Sequence, residues 1–209
     1  MGRWRSSAAR LSGAVLVLAA GCAASRPSRP ADLCSIFAER PDWYEAARDS
    51  YRRWGVPVPL QLAVIHQESA FEADARPPRR WYLGFIPGGR PSTAYGYGQV
   101  LDSTWASYRH ATGARGADRD DFADVADFIG WYGHVGEVRH GIRKDDPYRF
   151  YLAYLLGHRG YLRGLARHRP SARRAAVRVA ARTRAYARQY RRCRERLDAE
   201  IDSPWWWPF

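Results

Sequence analysis

The stretch Leu60-Gln-Leu-Ala-Val-Ile-His-Gln-Glu-Ser-Ala-Phe71 limits the fold most, because its apolar residues fall almost all round a helix. A helix without a continuous polar face needs neighbours on every side. It therefore belongs at the centre of a helical core, with Pro59 opening its first turn. Its last turn brings a single carboxylate, Glu68, to the point where the buried segment ends. An acid held against apolar surroundings resists ionising, so its pKa is expected to rise toward the range useful for giving up a proton at neutral pH.

The rest of the chain supplies the covering helices. No stretch alternates apolar and polar residues with β-branched side chains, so the expected class is all-α. A short helix is expected from Asp32 to about Glu39. Pro41 opens a second, ended by Gly55, with a core face of Trp43, Ala46, Ala47, Tyr51 and Trp54. Leu101 to Ala111 reads as a helix capped by Asp102 or Ser103. Asp118 to His140 carries Phe122, Val125, Ala126, Ile129 and Tyr132 on one face, with Gly130, Gly133 and Gly136 permitting close packing or a kink. Another helix is expected from Asp146-Pro147 through about Arg167. The last begins at Pro170-Ser171, with Ala172, Ala176, Val179, Thr183, Tyr186, Tyr190, Cys193 and Leu197 spaced alternately by four and three along its buried face. Phe71 to Tyr97 holds too many prolines and glycines for a regular element, and a long loop of this kind within a compact domain is usually functional.

Length and composition fit one globular domain with extensions: 209 residues, 46% of them hydrophobic. The formal charge is +13, and every cation except Lys144 is an arginine, which points to nucleic acid, acidic headgroups or a carboxylate-bearing polymer as company. The N-terminus narrows this. Arg3, Arg5 and Arg10 precede Leu11 to Ala20, a run too short to span a bilayer and typical of a secretory signal. It ends Leu18-Ala-Ala-Gly-Cys22, which resembles the lipobox of bacterial lipoproteins. The resemblance implies a signal peptide over 1–21 and a lipid on Cys22; a Pro/Ser/Arg tether is expected over 22–31 and the folded domain over 32–202. Ala23, where Asp would favour inner-membrane retention, implies the periplasmic face of the outer membrane. Removing three arginines from +13 leaves +10, and export makes nucleic acid an unexpected partner. The arginines fit a solvated surface or attraction to anionic envelope polymer equally well. The Trp-rich tail over 203–209 either packs back on the domain or contacts membrane or glycan. With Cys22 acylated, Cys34 and Cys193 form an even pair in an oxidising compartment, and a disulfide between them is expected. It would contribute at most about 4 to 5 kcal/mol; two buried free thiols are the alternative.

Metal, cofactor and serine-nucleophile chemistries lack their signatures. His66-x-Glu68 points its side chains apart on a helix, and no His-Glu-x-x-His, Gly-x-Ser-x-Gly, phosphate loop or dinucleotide fingerprint occurs. No metal and no cofactor are expected.

Three pieces remain: Ile65-His-Gln-Glu68-Ser69-Ala-Phe71, Ala94-Tyr-Gly96-Tyr-Gly98-Gln99-Val, and Ala153-Tyr154-Leu-Leu-Gly157-His158-Arg-Gly160-Tyr161. In order and rough spacing they resemble the lysozyme-like lytic transglycosylases of the SLT type. The resemblance implies a lysozyme-like domain with a long substrate loop, acting as a monomer on peptidoglycan. It implies Glu68 as catalytic acid, Ser69 orienting it or the substrate, and Gln99 bonding glycan, with Gly96 and Gly98 admitting backbone close to the sugar. It implies Tyr154 as the tyrosine that holds the catalytic carboxylate. Trp81 and Tyr82, with Phe85, are candidates to stack on sugar faces, although packing of the loop accounts for one or two of them equally well. Leu155 stands where the family usually has Asn, a polar contact that His158 would have to supply; Tyr97 and Val100 replace more usual aliphatics.

In that family the MurNAc-GlcNAc bond is cleaved by one Glu serving as acid and then base, closing a 1,6-anhydro ring without a second carboxylate. Two readings compete: a hydrolase on the same fold, using Glu72, Asp74 or Asp102 to activate water, and a non-catalytic peptidoglycan-binding lipoprotein.

Overall fold

The structure is a computed structural model describing residues 26–79, 81–83 and 86–202; the leader with Cys22 and the Trp-rich tail lie outside the described residues. Its helices are α1 (Leu33–Glu39), α2 (Pro41–Trp54), α3 (Val58–Ser69), α4 (Asp102–Thr112), α5 (Phe122–His140), α6 (Pro147–Leu156), α7 (His158–Leu162) and α8 (Pro170–Asp202), with a 3₁₀ turn at Leu165–His168. The chain is all-α, as expected. The long loop between α3 and α4 carries one minimal antiparallel hairpin, β1 (Trp81–Tyr82) with β2 (Ile86–Pro87).

Local chemistry fixes the helix ends. Asp32 accepts from the N–H groups of Cys34 and Ser35 to start α1, Asp121 caps α5, and Asp146 caps α6 through the N–H groups of Tyr148 and Arg149. Pro41 is the first residue of α2, which closes on Gly55 at φ 80°. Besides the hairpin, in a loop expected to hold no regular element, three details of the helices differ from the sequence reading. No side chain caps α4, whose N-cap position is Leu101. The buried face of α2 is rotated to Trp43, Tyr44, Ala47, Arg48 and Ser50, which leaves Tyr51 exposed. The helix expected to run to about Arg167 breaks at Gly157 (φ 71°) and again at Gly164 (φ 73°), because both take up left-handed backbone that ends a helix.

α3 is the centre of the molecule: Leu60, Leu62, Ala63, Val64 and Ile65 have no exposed surface. It lies along α8 on one side, and α6 packs on the same long helix. α2 packs closely on α5 where Gly130 removes a side chain from the seam, and Gly133 does the same for α5 against α6 and Val56. A Cβ on Gly130 would stand 2.4 Å from Ser50 Oγ, and one on Gly133 2.6 Å from Phe150 and Val56. Trp43 joins these layers, stacking on Phe122 at 4.2 Å with Phe71 and Tyr97 against it. Such aromatic contacts add about 0.5–1.5 kcal/mol each beyond the area they bury. Cys34 and Cys193 form the expected disulfide, with Cα atoms 6.0 Å apart across 159 residues, fastening α1 to the buried stripe of α8.

Candidate active site

Glu68 is the penultimate residue of α3, held by an unusual exit from the helix. Ala70 and Phe71 both adopt left-handed backbone, at φ 51° and 65°, which costs about 1–2 kcal/mol per non-glycine residue. Burial of Phe71 offsets that cost: its ring is fully enclosed, 5.7 Å from Trp43 and 5.4 Å from His66. The turn is thereby locked immediately after Glu68.

The carboxyl group faces a cavity of about 520 Å³. Its walls come from the Gly-rich turn (Gln99, Val100), α4 (Thr104), α5 (Phe128, Tyr132) and α6 (Tyr154, Leu155). Glu68 is the sole acid on the wall among the described residues, and no Lys, Arg or His joins it there. Protein encloses the group on almost every side, leaving a partial opening to the cavity. Burial accordingly pushes its pKa up to about 7, against the opposing effect of the Tyr151 hydroxyl, which favours the charged form. That hydroxyl donates to Glu68 Oε1 at 2.7 Å. Tyr151 is itself buried, and burial together with the neighbouring carboxylate keeps its phenol protonated. Oε2 accepts no hydrogen bond from the described residues and is the oxygen left for chemistry.

The tyrosine that holds Glu68 is therefore Tyr151, which corrects the assignment of that role to Tyr154. The two lie one turn apart on α6, and Tyr154 reaches past the carboxylate to donate to the carbonyl of Gly98 at 2.8 Å. Gly98 serves this contact: a Cβ there would stand 2.8 Å from the Tyr154 hydroxyl. Gly96 likewise faces protein, not sugar. At φ 75° its missing Cβ would collide with the carbonyl of Arg119, at 1.9 Å. Arg119 fastens the same turn with its side chain, donating to the carbonyls of Thr93 and Val100 at 3.0 and 2.7 Å and pairing with Asp102 at 2.7 Å.

Gln99 projects from this braced turn at φ 48°. Its amide nitrogen donates to the carbonyls of Ala75 and Gly96, at 2.8 and 3.0 Å. Two carbonyl partners fix which end is nitrogen, and Oε1 is left as an acceptor on the cavity wall. Ser69 does not reach the cavity, because its hydroxyl is donated back to the carbonyl of Ile65 at 3.2 Å. Leu155 lines the cavity and is 43% exposed, an apolar side chain where the resemblance leads one to expect an amide. His158 does not replace that contact. It lines the neighbouring groove, its ring stacked on Tyr132 at 4.1 Å, and burial lowers its pKa to about 4 with a smaller effect from His140. Trp81 and Tyr82 form β1 in the loop, but their side chains, like residue 85 and Cys22, lie outside what is described.

None of the carboxylates considered as a second catalytic group lines the cavity: Glu72 pairs with Arg26, Asp102 pairs with Arg119, and Asp74 points to solvent. Tyr151 is the residue of the candidate site that the sequence reading missed. Its signal was present as a second tyrosine three positions before Tyr154, on the same helical face.

No curated protein and no solved structure matches this chain. The family model described as Transglycosylase SLT domain matches residues 10–193, a span that holds the central helix, Glu68, the Gln99 turn and the two tyrosines of α6. The chain belongs to the transglycosylase SLT domain family, whose activity is lytic transglycosylation of peptidoglycan.

Proposed function

We propose that Glu68 cleaves the MurNAc-GlcNAc glycosidic bond of peptidoglycan, first as acid and then as base. The observation that carries this reading is the isolation of Glu68. Among the described residues it is one acid on an otherwise uncharged wall, with its pKa raised to about 7, which leaves it partly protonated near neutrality as a general acid needs. Protonated Glu68 gives its proton to the glycosidic oxygen as the bond from that oxygen to the muramic C1 breaks. The carboxylate so formed keeps the Tyr151 hydroxyl as its donor. It then takes the proton of the muramic C6 hydroxyl, whose oxygen bonds to C1 and closes the 1,6-anhydro ring. No water is consumed and Glu68 recovers its proton. A hydrolytic route would need a second carboxylate roughly 5 to 9.5 Å away. Gln99, with its amide nitrogen committed to backbone carbonyls, offers Oε1 to a sugar hydroxyl or amide N–H.

Mass spectrometry of sacculi digested by the purified protein tests the reading. Anhydro-muropeptides are expected; reducing-end products alone would overturn it in favour of hydrolysis. Glu68→Gln should lower turnover by roughly 10²–10⁴-fold, the range of general acid-base catalysis, while binding of strands is kept. Absence of cleavage by the parent protein would favour a binding role.

The leader sequence supports lipidation at Cys22 and residence on the periplasmic face of the outer membrane. Cys22→Ser should move the protein from the membrane to the soluble fraction of a fractionated cell. Retention in the membrane would refute the anchor.

A further inference from the structure

The cavity at Glu68 continues into a second groove of about 760 Å³, and the two share Thr104, Tyr132, Leu156 and Gly157 as common wall. The groove exists because the chain breaks at Gly157: α6 stops and α7 sets off in a new direction beside the last turn of α5. That junction places Arg139 of α5 and Arg159 and Arg163 of the α7 segment on one lining, with no acid among the described lining residues. All three are exposed, and none forms an ion pair with a described residue; the one side-chain bond among them runs from Arg163 Nε to the carbonyl of Arg159. The contrast with the adjoining cavity is sharp, since among the described residues that wall holds no cation.

We propose that this groove binds the carboxylates of peptide stems attached to the glycan, so that the protein acts preferentially on stem-bearing strands. The inference rests on Glu68 cleaving glycan in the adjoining cavity. A strand with a saccharide unit at Glu68 brings its stem alongside, and stems are the part of this substrate that supplies several carboxylates to guanidinium groups. The neutral, stacked His158 forms part of the floor and adds no charge. Three unpaired arginines on a concave wall continuous with the cleft give the Arg-rich composition a specific task, distinct from a generally solvated surface.

The test compares glycan strands carrying stems with the same strands stripped by an amidase. The parent protein should show a kcat/KM higher on stem-bearing strands by roughly 3- to 10-fold, the range one or two partly exposed ion pairs supply, and the preference should weaken in salt. Arg139→Gln, Arg159→Gln and Arg163→Gln together should bring the ratio toward one. Lysines at the same places should retain most of it, and glutamates should invert it. The inference is overturned if the parent treats both substrates alike, or if the ratio survives the glutamate variant. Binding of both strand types to Glu68→Gln protein separates this inference from the proposed chemistry. Arginine-dependent selection in binding without cleavage by the parent would uphold the groove and refute the chemistry. Cleavage of both strand types with no selection would do the reverse.

Discussion

Replacing Tyr151 by Phe removes one oxygen and isolates the interaction that sets the acidity of Glu68. In the parent protein two effects oppose each other: burial raises the carboxyl pKa, and the Tyr151 hydroxyl, 2.7 Å from Oε1, lowers it to a net value of about 7. A hydrogen bond to a charged group contributes about 1.5–3 kcal/mol, and one pKa unit corresponds to about 1.4 kcal/mol. Without the hydroxyl, the Glu68 pKa is therefore expected to rise by about 1 to 2 units. Since the acid step requires protonated Glu68, the descending alkaline limb of kcat/KM against pH should move upward by that amount. The plateau below it should fall about tenfold, because the carboxylate formed in the transition state has lost its donor. Tyr154→Phe provides the contrast. Its hydroxyl serves the Gly98 carbonyl, so this change should cost about 1–3 kcal/mol of stability by orphaning a buried acceptor while leaving the limb in place. A pH-rate profile of both variants on purified sacculi decides the matter. The reasoning fails if Tyr151→Phe leaves the limb unmoved, or if Tyr154→Phe moves it as far.

The raised pKa of Glu68 also bears on stability: the folded protein holds this proton up to about 7 against an ordinary value of 4.5, so the stability it contributes is full below 4.5 and is lost as pH rises through 7. Glu68→Gln should then be more stable than the parent by about 3 kcal/mol at pH 8 and by little at pH 4.5 in urea titrations; taking the difference between the two proteins cancels His66 and His158, whose lowered pKa values act in the opposite direction. Replacing Cys34 and Cys193 with serine should cost about 2–5 kcal/mol, seen as a lower melting temperature, and an unchanged temperature would refute a structural role. Gly96→Ala should destabilise more than Gly98→Ala, because its Cβ meets backbone at 1.9 Å, whereas that of Gly98 meets a side-chain hydroxyl at 2.8 Å. Leu155→Arg should move the alkaline limb of the pH-rate profile down by about one unit, as a cation on the cavity wall favours the carboxylate; a limb that stays in place would show the cavity to be well screened.

The parts of the fold readable from sequence were those with a strong period or a fixed chemical signature. The all-round apolar pattern of Leu60 to Ile65 put α3 at the centre, and the alternate four-and-three spacing from Ala172 to Leu197 gave α8 its buried face and placed Cys193 against Cys34. Where period was weak, tertiary contacts decided. Gly157 and Gly164 broke one expected helix into α6, α7 and a 3₁₀ turn, and the face of α2 rotated to bring Arg48 to Asp198 and Asp202. At the site, Glu68 and Gln99 were legible because each stands at a chemically marked position. The division of labour between Tyr151 and Tyr154 was not, because two tyrosines a turn apart share a face, and only tertiary contacts decide which hydroxyl meets the carboxylate and which the carbonyl of Gly98. Gly96 and Gly98 were read as giving room to sugar, yet the neighbours that need the room are Arg119 and Tyr154.

A neutral partner for Glu68 matters more in this chain than in most. With 34 Lys and Arg against 21 Asp and Glu, a cation close to any given carboxylate is the common outcome, and such a neighbour lowers a carboxyl pKa by about 1–3 units. At that acidity Glu68 would be ionised at neutral pH and unable to protonate a leaving oxygen. The fold avoids this by building the described wall around Glu68 from hydroxyl, amide and apolar side chains of four elements, the Gly-rich turn, α4, α5 and α6, while cations collect beyond Gly157. Tyr151 then meets a requirement that neither Arg nor Lys meets. Its hydroxyl stabilises the carboxylate after the proton has left, yet brings no charge that would draw the proton off beforehand. Glu68 is thereby kept near the midpoint between acid and base, the condition that the proposed reaction sets on one glutamate serving both of its halves.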